Sequence, residues 1–527
     1  MEQALNLPND LDALQALVLK LQQENRHLRD KQTHLQEQIR LLLHKRFGAK
    51  SEKYPAEQSD LFNEAEAYAE DSDDAESPFP ITAEAGLSAG ALAPATPSSK
   101  RGRKALPTEL PRTDIIHDLP IGQRYCSEGH ALVVIGEEVS EQLDIIPAKI
   151  QVLRHIRKKY ACPCCQAQVK TAPMPPQPIP KSNASAGLLA YIVTAKFLDA
   201  LPLYRQSKQF LRIGVHLPRA TLASWMIRCG GLVQALCNLM QEQINRYPIQ
   251  QMDETTVQVL KEDGKAAATL SYMWVQRGGP PEQPVILFNY SPTRSQTNAD
   301  QLLHGFQGIL QTDGYAGYLT PCTKNSVRHA GCWAHVRRKF DEALKAQDPK
   351  LPSKKGKAGE ALTIIQELYR IEKHIKDKSP TEKAKIRQKQ AKPILNAMKD
   401  WLDTSLTQVT PSSLTGKALT YLSNQWPTLT VYCEDGRLDI DNNAIERAIR
   451  PFVIGRNNWM FSDTVKGVNA SANLYSLIET AKLNGLEPYR YLHHVFNEWP
   501  KAQTLEDIEQ LLPWNVDKDA INQGWKN

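Results

Sequence analysis

YPIQQMDETTVQVL, residues 247–260, is where a helical run of sequence gives way to strands, and it carries an aspartate inside the first of them. Working outward, ATLSYMWVQRGG (268–279) and PVILFNYS (284–291) read as two further strands. SQTNADQLLHGF (295–306) reads as a helix, GILQTDGYAGY (308–318) as a fourth strand, and VRHAGCWAHVRRKF (327–340) follows. Asp253 lies within the first strand and Asp313 at the end of the fourth.

Three strands, a helix and another strand is the order of the ribonuclease-H-like α/β fold. First and fourth strands are neighbours there, so Asp253 and Asp313 are expected to converge. A third carboxylate from a later helix would complete a site for two Mg²⁺ ions. Mg²⁺ is hard and prefers oxygen, and two ions about 3.5–4 Å apart clamp the attacking and leaving oxygens of an in-line phosphoryl displacement. The candidate is Glu446, in DNNAIERAIRPFVIGRNNWMF (441–461). The bland reading of Glu446 is an ordinary pair with Arg450, four residues on. The expected helix is capped by Asp441 or Asn442. It sets Asn443, Glu446 and Arg450 on one face, turns Ile445, Ala448 and Ile449 to the core, and ends at Pro451. Arg447, Arg450 and Arg456 are candidates for DNA phosphates, the sequence-independent part of affinity. Trp459 either stacks on an unpaired base or packs in the core, and His335 either approaches the metals or is a core histidine.

A chain of 527 residues exceeds one core, and three or four domains are expected. The net charge of +6 is modest, but cations cluster at Lys100–Lys104, Arg154–Lys159 and Arg337–Lys339, with Arg337 and Arg338 as candidate DNA contacts. Met1–Asp10 is polar and acidic, unlike a secretion signal, and the apolar run Leu188–Tyr204 is interrupted by Lys196 and Asp199. With nine cysteines, these features predict an intracellular, reduced chain without a membrane span, in which paired cysteines hold metal.

Leu14, Leu21, Leu28, Leu35 and Leu42 recur every seventh residue. With these at d, position a holds Leu11, Val18, Asn25, Gln32 and Ile39, the pattern of a parallel two-stranded coiled coil over 8–46 and hence of a homodimer. Residues 55–112 read as a disordered linker, acidic and then rich in Ala, Pro and Ser. It closes on KRGRK, either a minor-groove contact or a solvated tether. Residues 113–175 read as a small module for one structural Zn²⁺, with Cys126 and His130 as one ligand pair and Cys162 and Cys165 as the other; Cys164 is an alternative in the second pair. Residues 183–245 outline a helix-turn-helix with a turn at Gly214, Pro218 at the start of its second helix, and Arg219, Thr221, Ser224 and Arg228 as candidate DNA-facing positions.

QMDETTVQVL, QTDGYAGY, GCWAHVRRKF and DNNAIERAIRPFVIGRNNWMFSD together resemble the DDE transposase of the insertion-sequence 66 family, over nearly the whole chain. The resemblance implies a multidomain α/β protein. Its parts are an N-terminal coiled-coil helix, a zinc module, a ribonuclease-H-like catalytic domain at 247–470 with a helical insertion at about 341–436, and a helical C-terminal domain at 471–527. It implies Asp253, Asp313 and Glu446 as the catalytic triad holding two Mg²⁺, with Mn²⁺ able to substitute. It also implies DNA as substrate, small accessory proteins of the same element, and a bacterial cytoplasmic, nucleoid-associated location. The chain departs from many members at CSEGH (126–130), where they carry CxxC. The competing expectations are a non-catalytic DNA-binding regulator and a nuclease of the same fold without strand transfer.

Overall fold

A computed structural model of the chain describes residues 10–47, 150–161, 169–347 and 356–522. The chain divides into two compact units, Met1–Ala67 with Pro175–Asn527, and Tyr68–Met174.

In the smaller unit, β1 (Lys159–Ala161) and β2 (Val169–Thr171) form an antiparallel pair, with Lys159 opposite Thr171 and Ala161 opposite Val169. The pair brings together the two ends of the segment that carries Cys162, Cys164 and Cys165. Those residues, Cys126, His130 and the expected linker at 55–112 lie outside the described residues. Arg154, Lys158 and Tyr160 are exposed, and Arg157 Nε donates to Ala172 O at 2.6 Å.

The larger unit begins with α1 (Leu11–Phe47). Four helices precede the sheet: α2 (Ala186–Phe197), α3 (Leu203–Arg212), α4 (Arg219–Leu232) and α5 (Gln234–Arg246). The sheet holds β3 (Ile249–Lys261), β4 (Leu270–Gly278), β5 (Val285–Ser291), β6 (Ile309–Gln311) and β7 (Arg328–Ala330) in the order β5-β4-β3-β6-β7, and β8 (Ser462–Thr464) pairs with the far end of β3. β3, β4 and β5 are antiparallel, whereas β6 and β7 run parallel to β3. The first and fourth strands of the core are therefore neighbours, as the sequence predicts. The expected fourth strand is shorter than predicted: it stops at Gln311, and Asp313 stands on the loop beyond it.

Helices α6 (Gln296–Leu302) and α7 (Leu319–Lys324) flank β6. After β7 come α8 (Trp333–Lys345), α9 (Lys357–Ile375), α10 (Pro380–Ile386), α11 (Lys392–Gln408) and α12 (Leu414–Leu429), then α13 (Asn443–Trp459), α14 (Val465–Leu483) and α15 (Pro488–Glu498). The period of two along β3 decides what each face meets. Val257 and Val259 join a core with α2–α5 and α13–α15, while Met252 joins Trp274, Leu303, Phe306 and Tyr318 on the other face. A second cluster fills the space between α8, α9, α11 and α12. Its polar centre is Arg387, 1% exposed, whose guanidinium meets Glu372 (2.6 and 2.9 Å) and the carbonyls of Tyr432, Asp435 and Leu438 (2.8–3.0 Å). A buried guanidinium is tolerable only when its donors are matched in this way.

Helix α14 closes an open sheet edge. Ile286 N donates to Thr480 Oγ1 (3.0 Å) and Phe288 N to Ser476 Oγ (2.8 Å), while Asn484 Nδ2 donates to Pro284 O (2.9 Å). Ser476, Thr480 and Asn484 are four residues apart and so share one helix face. They occupy backbone groups of β5 that would otherwise be a free edge. The sequence division at 470/471 falls within this helix, and the helices after it share the core of the sheet. Gly230 of α4 lets α14 approach closely, since a Cβ there would collide with Ala470.

Helix α1 leans on the insertion with the face opposite its heptad leucines Leu21, Leu28, Leu35 and Leu42. Asp30, His34, Glu37 and Leu41 are half-buried; Glu37 Oε2 accepts Leu414 N of α12 (2.9 Å), and His34 Nε2 lies 3.3 Å from Lys417 Nζ. Leu21, Leu28, Leu35 and Leu42 remain about half to two-thirds exposed (48–65%).

Thr480→Val should unfold at lower denaturant, with a loss of about 1–3 kcal/mol, because it strands the N–H of Ile286 at a buried site. Equilibrium urea unfolding of the two proteins measures this, and an unchanged midpoint would mean that packing alone seals the edge.

Candidate active site

Asp253 and Glu254 are successive residues of β3 and so point to opposite faces. Asp253 lies opposite Val275, on the face that carries Val257 and Val259 and meets α13. Its Oδ1 accepts Glu254 N at 2.8 Å. Burial pushes its carboxyl up to about 7, helped by the charges of Glu254, Asp313 and Glu446 and opposed by the bond from Glu254 N. Asp313 Oδ1 accepts Tyr315 N at 2.9 Å. Glu446, in the first turn of α13, has Oε1 3.6 Å from His335 Nε2 and Oε2 3.5 Å from Arg338 Nη2 of α8. That turn is also the electropositive end of the helix, where a carboxylate is favoured. Burial lowers the His335 pKa while Glu446 opposes it. His335 therefore stands beside the acidic site, one of the two places expected for it.

Other expected residues are used differently. Arg337 is buried on α8, its guanidinium over the Tyr369 ring at 5.7 Å, so it faces the insertion's core and not a DNA surface. Arg456 donates to Thr255 Oγ1 and Thr256 Oγ1 (both 3.0 Å) and to Thr256 O, which fastens α13 to β3. It is not a free phosphate ligand. Arg338 is more than half exposed, Arg447 and Arg450 are exposed on α13, and Arg219 and Arg228 are exposed on α4. Trp459 packs in the core, edge-on to Phe452 at 5.5 Å with Lys196 Nζ 5.4 Å above its ring.

Pro451 does not end α13, which runs on to Trp459. A proline there removes one backbone donor, but Phe452 is fully buried against Phe288 and Tyr475, and this packing holds the second half of the helix. At the N-terminus, Asp441 Oδ1 accepts Asn443 N at 3.2 Å, while Asn442 makes no side-chain cap bond. Ile445, Ala448 and Ile449 are buried as predicted.

Several site residues escaped the sequence reading. The Glu254 side chain, 2% exposed, accepts from Arg294 Nε at 2.6 Å and from the Tyr318 hydroxyl. Burial pushes its carboxyl up, and Tyr318 and Arg294 oppose that. The Arg294 guanidinium lies 3.7 Å over the Tyr315 ring, whose hydroxyl donates to Arg294 O at 2.6 Å. The signals were the acid next to Asp253 and the tyrosines two and five residues after Asp313. From the insertion, Tyr421 lies against Gly314, where a Cβ would collide with its hydroxyl. Lys339 Nζ stands 4.6 Å from the Tyr421 ring, so α12 reaches the Asp313 loop.

The donor set is all carboxylate oxygen around Asp253, the chemistry of a hard divalent cation, and such an ion would relieve the repulsion that raises Asp253. Among the described residues, no three His, Cys, Asp or Glu side chains already stand in ligating geometry. No described helix is long and apolar enough to cross a membrane.

A mixed sheet flanked by helices defines an α/β protein. The chain belongs to the transposase IS66 family, whose model matches residues 181–470. Models described as the IS66 C-terminal element, the zinc-finger binding domain of transposase IS66, and transposase C of IS166 homeodomain match 476–514, 123–166 and 34–115. The zinc-finger match spans Cys126, His130, Cys162 and Cys165 and supports Zn²⁺ as a cofactor. Two relatives come from Sinorhizobium fredii. Protein y4jD is 34% identical, over 81% of this chain and 85% of its own length; y4qI is 31% identical, over 80% and 78%.

The raised Asp253 pKa has a consequence for stability. A carboxyl whose folded pKa exceeds its unfolded value favours the fold below the unfolded pKa, and that contribution is lost as pH rises from about 4 through about 7. In EDTA, Asp253→Asn should therefore be more stable than wild type at pH 8, on the order of 2 kcal/mol, with the gap shrinking towards pH 4. Denaturant unfolding at pH 4, 6 and 8 gives the sign directly; a constant difference would mean that Asp253 ionises normally.

Proposed function

We propose that this chain is a DDE transposase with a ribonuclease-H-like core, which nicks the 3′ ends of its element and joins the freed 3′-hydroxyls to target DNA. The observation that carries the reading is the electrostatic meeting of Asp253 with Asp313 and Glu446, three acids from β3, the loop after β6 and the first turn of α13. These carboxylates would hold two Mg²⁺, or Mn²⁺ in their place. The chemistry such a pair would supply there is activation of the attacking water or 3′-hydroxyl and stabilisation of the departing oxygen. The protein's own part is orientation: His335 and Arg338 hold Glu446, and Arg456 ties α13 to the strand that carries Asp253. No covalent protein–DNA intermediate is expected, because the carboxylates serve cations.

DNA binding is supported by surface charge. No Asp or Glu occurs between Asp199 and Glu242, a span that includes α3 and α4. Within it Arg205, Lys208 and Arg212 lie exposed along α3, and Arg219 and Arg228 along α4. A polyanion is the partner such a surface fits. Arg338, Arg447 and Arg450 would hold phosphates beside the triad. Dimerisation through the leucine seam of α1 is proposed because the docked face leaves that seam outward. The zinc module, with Cys126, His130, Cys162 and Cys165 as ligands, would add a further DNA contact; accessory proteins and a cytoplasmic, nucleoid-associated site of action complete the proposal.

The test is cleavage of a labelled duplex carrying the element's terminal repeat, in Mg²⁺. Wild type should leave a nicked 3′-hydroxyl, while Glu446→Gln should fall to background yet still bind. Binding without cleavage by both proteins, in Mg²⁺ and Mn²⁺ and with accessory proteins present, would instead indicate a regulator. Arg205→Ala/Lys208→Ala/Arg212→Ala should weaken binding on all sequences alike. It should also flatten the dependence of log K on log salt by about 2–3, roughly 0.9 per lost phosphate contact; an unchanged slope would remove α3 from the interface.

A further inference from the structure

Glu254 is a fourth acid placed where the site already holds three. A buried carboxylate so close to Asp253 and Asp313 adds repulsion, and an apolar residue of similar volume would cost the fold less. What the carboxylate touches explains its presence. Through its own N–H, Glu254 binds Asp253 Oδ1 at 2.8 Å. Through its side chain it holds Arg294 and Tyr318 on the opposite face of β3. Arg294 in turn carries Tyr315, by the 3.7 Å stacking of guanidinium on ring and by the 2.6 Å bond from the Tyr315 hydroxyl to Arg294 O. Tyr315 N completes the path by donating to Asp313 Oδ1 at 2.9 Å. One residue is thus linked to the Oδ1 atoms of both aspartates, by a direct bond on one side and through two residues, Arg294 and Tyr315, on the other.

We infer that Glu254 is a positioning residue that fixes the spacing of Asp253 and Asp313 through Arg294 and Tyr315. It is not itself a ligand: its carboxylate is occupied by Arg294 and Tyr318 and lies on the face of the strand opposite Asp253. The inference rests on the proposed metal-binding role of the two aspartates. The loop from Asp313 to Tyr318 is also held by the buried Tyr318 ring and by Tyr421 against Gly314. β6 ends at Gln311, and the strand ladder stops two residues before the aspartate. Side chains therefore help to fix Asp313, and Glu254, 2% exposed, meets two of them, Arg294 and the fully buried Tyr318.

The experiment is Mn²⁺ binding to the full-length, metal-stripped protein without DNA, followed by electron paramagnetic resonance, beside the Mg²⁺ dependence of end cleavage. Asp253→Asn serves as the reference for loss of the site. Glu254→Gln should weaken Mn²⁺ binding about tenfold, the effect usual for a partner that orients a ligand. It should raise the Mg²⁺ needed for half-maximal cleavage by a similar factor, with the rate at saturating Mg²⁺ largely kept and DNA affinity unchanged. Arg294→Gln should do the same, and the double variant should be no worse than either single one, because both act along one path. Tyr315→Phe loses only a hydroxyl and should shift Mn²⁺ binding in the same direction by a smaller factor, which keeps the test open if Glu254→Gln does not fold. Wild-type Mn²⁺ binding by Glu254→Gln would overturn the inference. So would tighter binding by Arg294→Gln, since a released Glu254 would then be acting as a ligand. If wild type binds no Mn²⁺, or Asp253→Asn binds it equally well, the two-metal reading itself fails.

Discussion

Repulsion between carboxylates is the constraint on which the rest of this structure depends. Asp253, Asp313 and Glu446 come from distant parts of the chain and must share one partly buried region, where like charges are costly. Each is met by a specific compensation. Asp253 and Asp313 accept backbone N–H bonds, and Glu446 sits at a helix N-terminus beside His335 and Arg338. The fourth acid, Glu254, is matched by Arg294. Cations are rationed accordingly. Arg456, a phosphate candidate on sequence alone, and Arg387 are consumed in holding elements together.

The same requirement ties the helical parts of the chain to the sheet. Glu446 can face Asp253 only if α13 is fixed on β3, and that face of the sheet is covered by the helices on either side of it in sequence. Thr480 and Ser476 of α14 bond the edge strand as a further strand would. Arg387 gathers the carbonyls of Tyr432, Asp435 and Leu438 just before α13 begins. The insertion therefore does more than separate two acids in sequence. It holds the approach to α13 at one end and touches the Asp313 loop through Tyr421 at the other.

Much of this was legible. The strands themselves and the buried face of α13 follow from alternating or helical period, the adjacency of β3 and β6 from the order of the elements, and the family from the resemblance of four quoted motifs. These patterns survive in one dimension because each depends on residues two, three or four apart. What escaped depended on long-range partners. Nothing local distinguishes Arg337, which packs inward, from Arg338, which faces out, because a one-residue step on a helix decides it and the deciding neighbour, Tyr369, lies on another helix. Pro451 is a helix stop by local rule, yet the packing of Phe452 overrides it. Glu254 was passed over because a single strand shows alternation but not what stands opposite, and Arg294 and Tyr318 arrive from loops and turns beyond it.

The N-terminal helix shows how one pattern can serve two surfaces. A heptad helix has an apolar seam and a polar outer side, and only the seam is usually given a role. Here the outer side is used within the chain: Glu37 satisfies the first-turn N–H of Leu414 in α12, and His34 lies beside Lys417. Unmatched donors in the first turn make a helix N-terminus a natural seat for a carboxylate. Leu21, Leu28, Leu35 and Leu42 then point away from the body of the protein, and a row of half-exposed apolar side chains is a surface suited to a partner. A second copy docking along that row would meet a helix already held against α12, the same helix that carries Tyr421 to Gly314 beside Asp313. The dimer seam and the proposed catalytic loop would then lie at two ends of one short mechanical path. An insertion whose helices pack as a single cluster is suited to transmit such a contact, because close-packed interiors shift as units and do not deform locally.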